Sequence, residues 1–274
     1  MLPASYKYNY MTRILFITLL FLSNKGLFAQ SKANFSWPPG KEAAISLSFD
    51  DGRYSQVEGG TAFLDSLHTK ATFYVLPSAV EQRLEGWKKA VASGQEIGNH
   101  SLHHPCSGNF VWSKKHALEN YTLDSMQAEL TKANDLIEKL LGVRPNVFAY
   151  PCGQKFTGRG IDTKSYVPVI AKMFMTGRGF LEETPNDPAF TDFAQITGID
   201  MDGKDFEQIL PLLLEARKNG QWVVLAGHEM GEGGAQTTRL SMLRELITYA
   251  RDPANKLWIE PVGTIANYIE QHRK

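Results

Sequence analysis

The stretch ISLSFDDG, Ile45 to Gly52, runs as an alternating apolar strand into two adjacent carboxylates, Asp50 and Asp51, and then a glycine. Neighbouring anions repel, and neither is buried cheaply without a partner. Solvent at a turn is one answer and a bound cation is another. Further along, GNHSLHHP holds His100 and His104. That spacing places two imidazoles on one face of a helical turn. It is a common way to hold a divalent metal, with an aspartate from elsewhere as third ligand. Alone, such a histidine pair also describes ordinary surface residues. Combined with the paired aspartates it points to a metal centre, in which one carboxylate ligates and its neighbour takes a proton from a nearby water.

These residues need a scaffold. Strand-like segments fall at Ala43–Phe49, Ala71–Leu76, Glu96–His100, Asn146–Tyr150, Met173–Thr176, Ala194–Ile199, Trp222–Gly227 and Leu257–Pro261. Helical patterns separate them at Gln56–His68, Trp87–Ser93, Leu123–Leu141, Ser165–Ala171, Asp205–Asn219 and Thr238–Arg251. Asp124 is expected to lead the longest helix and Gly142 to end it. Such alternation implies parallel strands joined by helical crossovers. Seven or eight units predict an α/β fold, a single-domain (β/α) barrel that is closed or nearly so, with its chemistry at the C-terminal strand ends. Asp50-Asp51, the His100 cluster, the Asp200–Asp205 run and LAGHE with His228 all fall at such ends.

The motifs SFDDG, HSLHH and LAGH, in this order, resemble those of the polysaccharide deacetylases, carbohydrate esterase family four with its NodB-homology domain. LWIEPVGTIANYI is similar to the closing strand and helix of these domains, so the resemblance covers about residues 40–270. It implies a distorted (β/α) barrel and hydrolysis of N- or O-acetyl groups on a carbohydrate or polysaccharide. It implies one divalent ion, zinc with cobalt or nickel as alternatives, held by Asp51, His100 and His104. Asp50 becomes the general base, His228 the general acid, and Asp202 the residue that orients His228. The backbone N–H of Cys152 becomes the oxyanion donor. His103 has no role in the family pattern.

The chain departs from that pattern in two places. Where the family carries an arginine that pairs with the base, this sequence has Ala149. Another cation must replace it, and Arg53, Lys155 and Arg178 are the candidates. The family's Asp-x-x-Asp-Trp is here Asp202-Gly203-Lys204-Asp205-Phe206, which reshapes a wall of the sugar groove. Tyr54, Tyr150, Phe206 and Glu229 are candidate substrate contacts, alongside the aromatic Trp112. Cys106 and Cys152 are the only cysteines. Two separate buried thiols are favoured over a disulfide tying two loops, and a thiolate metal ligand is least favoured.

The chain has 274 residues, 43% hydrophobic and 21% charged, with 29 basic and 29 acidic side chains. This balance argues against nucleic acid as a partner. Arg13 followed by the apolar run Ile14–Leu22 and a small residue at Ala29 reads as a signal peptide, too short for a comfortable membrane span. The expected organisation is a signal peptide at 1–29, a linker at 30–42 and a catalytic domain at 43–274. The mature protein is then expected to be secreted or periplasmic, an exported protein of bacterial type, without a stable membrane span. Two other functions fit the residues: a carbohydrate-binding homologue that lost turnover, and a metal-dependent amidase or esterase acting on a non-carbohydrate acyl group.

Overall fold

In a computed structural model, residues 35–273 are described; the expected signal peptide and the start of the linker lie outside them. β1 (Ala43–Phe49) is buried along its whole length. Its apparent alternation does not expose a face, because the two serines are satisfied inside the fold. Ser48 donates to Leu225 O at 2.8 Å and Ser46 accepts from the Trp222 indole at 3.0 Å. A buried hydroxyl with a partner costs little.

The chain continues through α1 (Thr61–Ser66), β2 (Thr72–Val75), α2 (Pro77–Gln82), α3 (Leu84–Ala92) and β3 (Glu96–Asn99). After α4 (Leu123–Leu141) and β4 (Val147–Ala149), a small hairpin pairs β5 (Phe156–Thr157) with β6 (Lys164–Ser165). Next come α5 (Val167–Met173), β7 (Thr176–Arg178), β8 (Ile199–Asp200), α6 (Phe206–Asn219) and β9 (Trp222–Gly227). β10 (Glu229–Gly231) pairs with β11 (Thr237–Arg239), and α7 (Leu240–Arg251), β12 (Leu257–Ile259) and α8 (Val262–His272) finish the chain.

The main sheet is parallel, in the order β7-β4-β3-β2-β1-β9-β8. β12 pairs with the first half of β1 at Ala43–Ile45, while β2 pairs with its last two residues. The eighth strand is thus wedged beside β1 and does not extend the ring. The free edges approach each other: Arg178 bridges to Ile196 in parallel, and Gly179 N–H donates to Ile196 O at 2.9 Å. This is the distorted barrel of seven or eight parallel strands. Phe49 and Phe73 stack 5.3 Å apart, and Phe73 packs against Trp87 of α3 where the sheet meets its helices.

Local sequence explains most boundaries. The α4 N-cap is Thr122, two residues before the expected Asp124; its hydroxyl accepts from Ser125 N–H, and Gly142 ends the helix at φ 73°. Pro168 sits in the first turn of α5, where its missing N–H is harmless, so this helix starts later than predicted. The next strand is displaced accordingly. It runs from Thr176 to Arg178, not Met173 to Thr176, and Arg178 becomes its last residue. Most of the predicted Ala194–Ile199 strand is irregular or a short turn, Phe193–Gln195, with β8 following at Ile199. Among the described residues, no helix is long and apolar enough to cross a membrane.

Candidate active site

β1 delivers Asp50 and Asp51 to the end of the barrel, and the chain then turns sharply, with φ 71° at Asp51 and 68° at Gly52. The turn divides the two carboxylates. Asp50 is buried, and its Oδ1 accepts from Nη2 of Arg178, which is itself fully buried. Arg178 also donates to Gly179 O at 2.7 Å and lies 5.0 Å over the Tyr74 ring. Burial disfavours its charge, but Asp50 more than compensates and raises its pKa. Of the three candidate cations, only Arg178 serves Asp50. Arg53 pairs with Asp51 Oδ2, and Lys155 with Glu182. Ala149 and Arg178 are register partners on adjacent strands, so the charge sits one strand away from the position that the family pattern suggests.

Asp51 Oδ1 faces the histidines. It lies 3.5 Å from His100 Nε2 and 3.4 Å from His104 Nε2. His100 Nδ1–H donates to Ala149 O at 2.9 Å, which leaves a lone pair on Nε2. A carboxylate oxygen and ring lone pairs in contact repel unless positive charge lies between them. The three ligand atoms all lie within 4.8 Å of one another, and two imidazoles with one carboxylate suit a zinc-type ion that keeps open positions. Burial pushes Asp51 upward, but the imidazoles that face it, His100 foremost, hold its carboxyl well below the usual carboxylate range whenever they carry a second proton. Burial, aided by His100, pushes His104 down to about 4, so it is a neutral imidazole at pH 7.

The histidine spacing works differently from the helical turn expected. Residues 100–106 form an irregular loop with φ 70° at Ser101 and 52° at His104. Ser101 Oγ accepts from His104 N–H at 2.9 Å and fixes that geometry. His103 turns away, pairs with Glu129 at 3.0 Å and stacks on His116.

His228 follows β9. Its Nδ1–H donates to Asp202 Oδ2 at 2.7 Å, and Asp202 Oδ1 accepts from Thr238 at 2.6 Å. Burial lowers the His228 pKa, but the Asp202 hydrogen bond and the charges of Asp50 and Asp51 outweigh it, so the net shift is upward. Gln56, overlooked in the sequence, donates to both Asp50 O at 2.7 Å and His228 O at 2.8 Å. It ties together the ends of β1 and β9. A glutamine shortly after FDDG carries no local sign of that role.

Cys106 and Cys152 form a disulfide, in place of the two separate thiols favoured from sequence. Cys152 adopts φ 54° and ψ 16°, inside the short turn Pro151–Gly153. A cavity of about 760 Å³ is lined by Asp50, Asp51, His100, His104, Cys152 and His228. Tyr54, Trp112, Phe180 and Glu229 also line it. Tyr150 and Phe206 do not reach it, which corrects their assignment as substrate contacts. Tyr150 is fully buried and donates to Ala194 O at 2.8 Å, and Phe206 packs on Tyr249. Both belong to the packing behind the strands.

Residues 38–163 match the family model described as Polysaccharide deacetylase. This match places residues 38–163 within the polysaccharide deacetylase family. The chain's relatives in that family include the peptidoglycan-N-acetylmuramic acid deacetylase PdaC of Bacillus subtilis, 34% identical over 115 residues. That match covers 41% of this chain and 22% of PdaC, and the first relatives are matched over a quarter of their length or less. Among solved structures, a putative polysaccharide deacetylase from Mycobacterium smegmatis shares the fold with a TM-score of 0.63 at 18% identity, covering 88% of this chain and 96% of that one. A CE4 family pseudoenzyme from Bacillus anthracis shares it at 0.51 and 19%, covering 84% and 66%.

Proposed function

We propose that this polysaccharide deacetylase family member is an exported, metal-dependent hydrolase that removes acetyl groups from a carbohydrate polymer. The observation that carries this reading is the convergence of Asp51, His100 and His104 on one point, with Asp50 and His228 on the same cavity wall. The peptidoglycan substrate named for PdaC is one candidate; acetylated chitin-like and xylan chains are others.

A divalent ion held by Asp51, His100 and His104 would supply Lewis acidity toward the acyl oxygen and acidify a neighbouring water. Asp50 takes the proton of the attacking water, and the Arg178 guanidinium holds that carboxylate in place. The N–H of Cys152 donates to the oxygen as it gains negative charge. His228, held protonated beside Asp202, gives its proton to the departing amine or alcohol. The Arg178–Asp50 pair supports an active enzyme over a binding protein that lost turnover, because the base retains its cationic partner despite Ala149.

The test is acetate release from a panel of acetylated polysaccharides and small acetyl esters, with zinc, cobalt or nickel added. Asp50→Ala and His228→Ala should each lower the rate by about 10²–10⁴ with the metal still bound. An Asp50→Ala protein that works at the parental rate would refute the assignment.

A further inference from the structure

We infer that Cys106 is a positioning residue: its disulfide to Cys152 holds the Cys152 N–H toward the cavity, and opening that bond lowers turnover. This rests on the deacetylase reading above.

Cys152 lines the cavity in a left-handed conformation that L side chains disfavour. The two hydrogen bonds that close its turn run from Gly153 N–H to Tyr150 O and from Gln154 N–H to Pro151 O. Both pass over Cys152 and leave its own N–H unused. Neighbouring ties act on either side of it. Tyr150 N–H donates to Arg178 O at 2.9 Å, and Gln154 Oε1 accepts from Ser107 N–H at 2.7 Å. The disulfide is the side-chain restraint on Cys152 itself.

The other end of that bond is a fixed point. Cys106 is fully buried. Its N–H donates to Ser113 Oγ at 2.9 Å, while its carbonyl accepts from Ser113 Oγ at 2.9 Å and from Leu118 N–H at 3.0 Å. Cys152 therefore hangs from an immobile residue of the histidine loop. The donor is held in register with the face that carries His104, whose Nδ1 lies 3.7 Å from Cys106 Sγ.

Opening the bond is a two-electron exchange. A thiolate of a small dithiol attacks Cys152 Sγ from the cavity, Cys106 leaves as thiolate and takes a proton, and the second reductant thiol resolves the mixed disulfide. The protein gains two thiols and the reductant becomes a disulfide. Cys152 is then free to relax to the right-handed conformation, which turns its N–H away.

The test compares the zinc-loaded protein oxidised, reduced by dithiothreitol and then desalted and reloaded with zinc, and reoxidised, together with Cys106→Ser. With 4-nitrophenyl acetate as substrate, kcat should fall at least tenfold in the reduced and variant forms. KM and zinc content should not change, and reoxidation should restore the wild type. If Cys106→Ser does not fold, the reduced and reoxidised wild type make the same comparison. An unchanged kcat, or a loss that tracks zinc loss, overturns the inference. Activity-independent evidence comes from the Cys152 amide resonance: acetate added to the zinc-loaded protein should shift it in the oxidised form and not in the reduced one. Equal shifts in both forms also overturn the inference. A protein that releases no acetate from any substrate in either form refutes the deacetylase reading instead, and the amide measurement still decides what the bond does.

Discussion

Arg178 reaches Asp50 from the end of β7, at the register position that Ala149 occupies on β4. In a parallel sheet, residues in register direct their side chains to the same face. The guanidinium thus serves Asp50 from the adjacent strand. Removing it should strand a buried carboxylate, at a cost of about 3–5 kcal/mol in stability. We expect Arg178→Ala to unfold at lower denaturant and to lose at least 10²-fold in kcat. The double variant Ala149→Arg with Arg178→Ala should recover part of both, because the charge returns from the neighbouring strand. A double variant no better than the single would argue against interchangeable positions.

Asp202 should set the alkaline limit of the reaction. The His228 pKa is raised in the folded protein, so its proton is retained as pH rises past the ordinary histidine value. Asp202→Asn removes the hydrogen-bonding anion and lowers that pKa. The falling limb of kcat/KM against pH should then move to lower pH. The same group links pH to stability. Its contribution is fully present below the unfolded pKa of about 6.5 and is lost as pH rises through the higher folded value. Denaturant melts at pH 6 and pH 9 should show that difference in the parent and less of it in Asp202→Asn.

Zinc should stabilise the fold through His104. At a hundred times its dissociation constant, a ligand that binds only the native state adds about 2.7 kcal/mol. Differential scanning fluorimetry should show a zinc-dependent rise in Tm for the parent and little for His104→Ala. His103→Ala should keep the rise, since His103 pairs with Glu129 away from the centre.

Trp112 should matter for polymers and not for small esters. It is exposed on the cavity wall, 5.5 Å from the His104 ring, and Phe110 lies 5.3 Å from it. A sugar ring stacked there is worth about 0.5–1.5 kcal/mol. Trp112→Ala should raise KM for a polysaccharide by about 2–10-fold while KM for 4-nitrophenyl acetate stays constant, which steady-state kinetics on both substrates will read.

The pieces legible in the sequence were those written locally. FDDG at the end of β1 and HSLHH after β3 each declare their chemistry within a few residues, and their convergence follows from a parallel barrel. Arg178 was not legible in this way. Its place depends on where β7 begins, which Pro168 shifts, and on register with β4. The pairing of Cys106 with Cys152 spans 46 residues and depends on two loops meeting, which spacing does not encode. Tyr150 and Phe206 were misread because an aromatic side chain beside a motif serves packing as readily as recognition.

Five residues that line the cavity, Asp51, His104, Cys152, Leu181 and Gln236, and Ser101 beside them, hold backbone angles normally left to glycine. Each such residue costs about 1–2 kcal/mol. The rim is thus the least comfortable part of the chain, and relief there comes easily: Ser101→Gly should toughen the protein while loosening its grip on His104. A lineage pressed only for heat resistance would be expected to surrender this corner first and to keep the barrel as an empty shell.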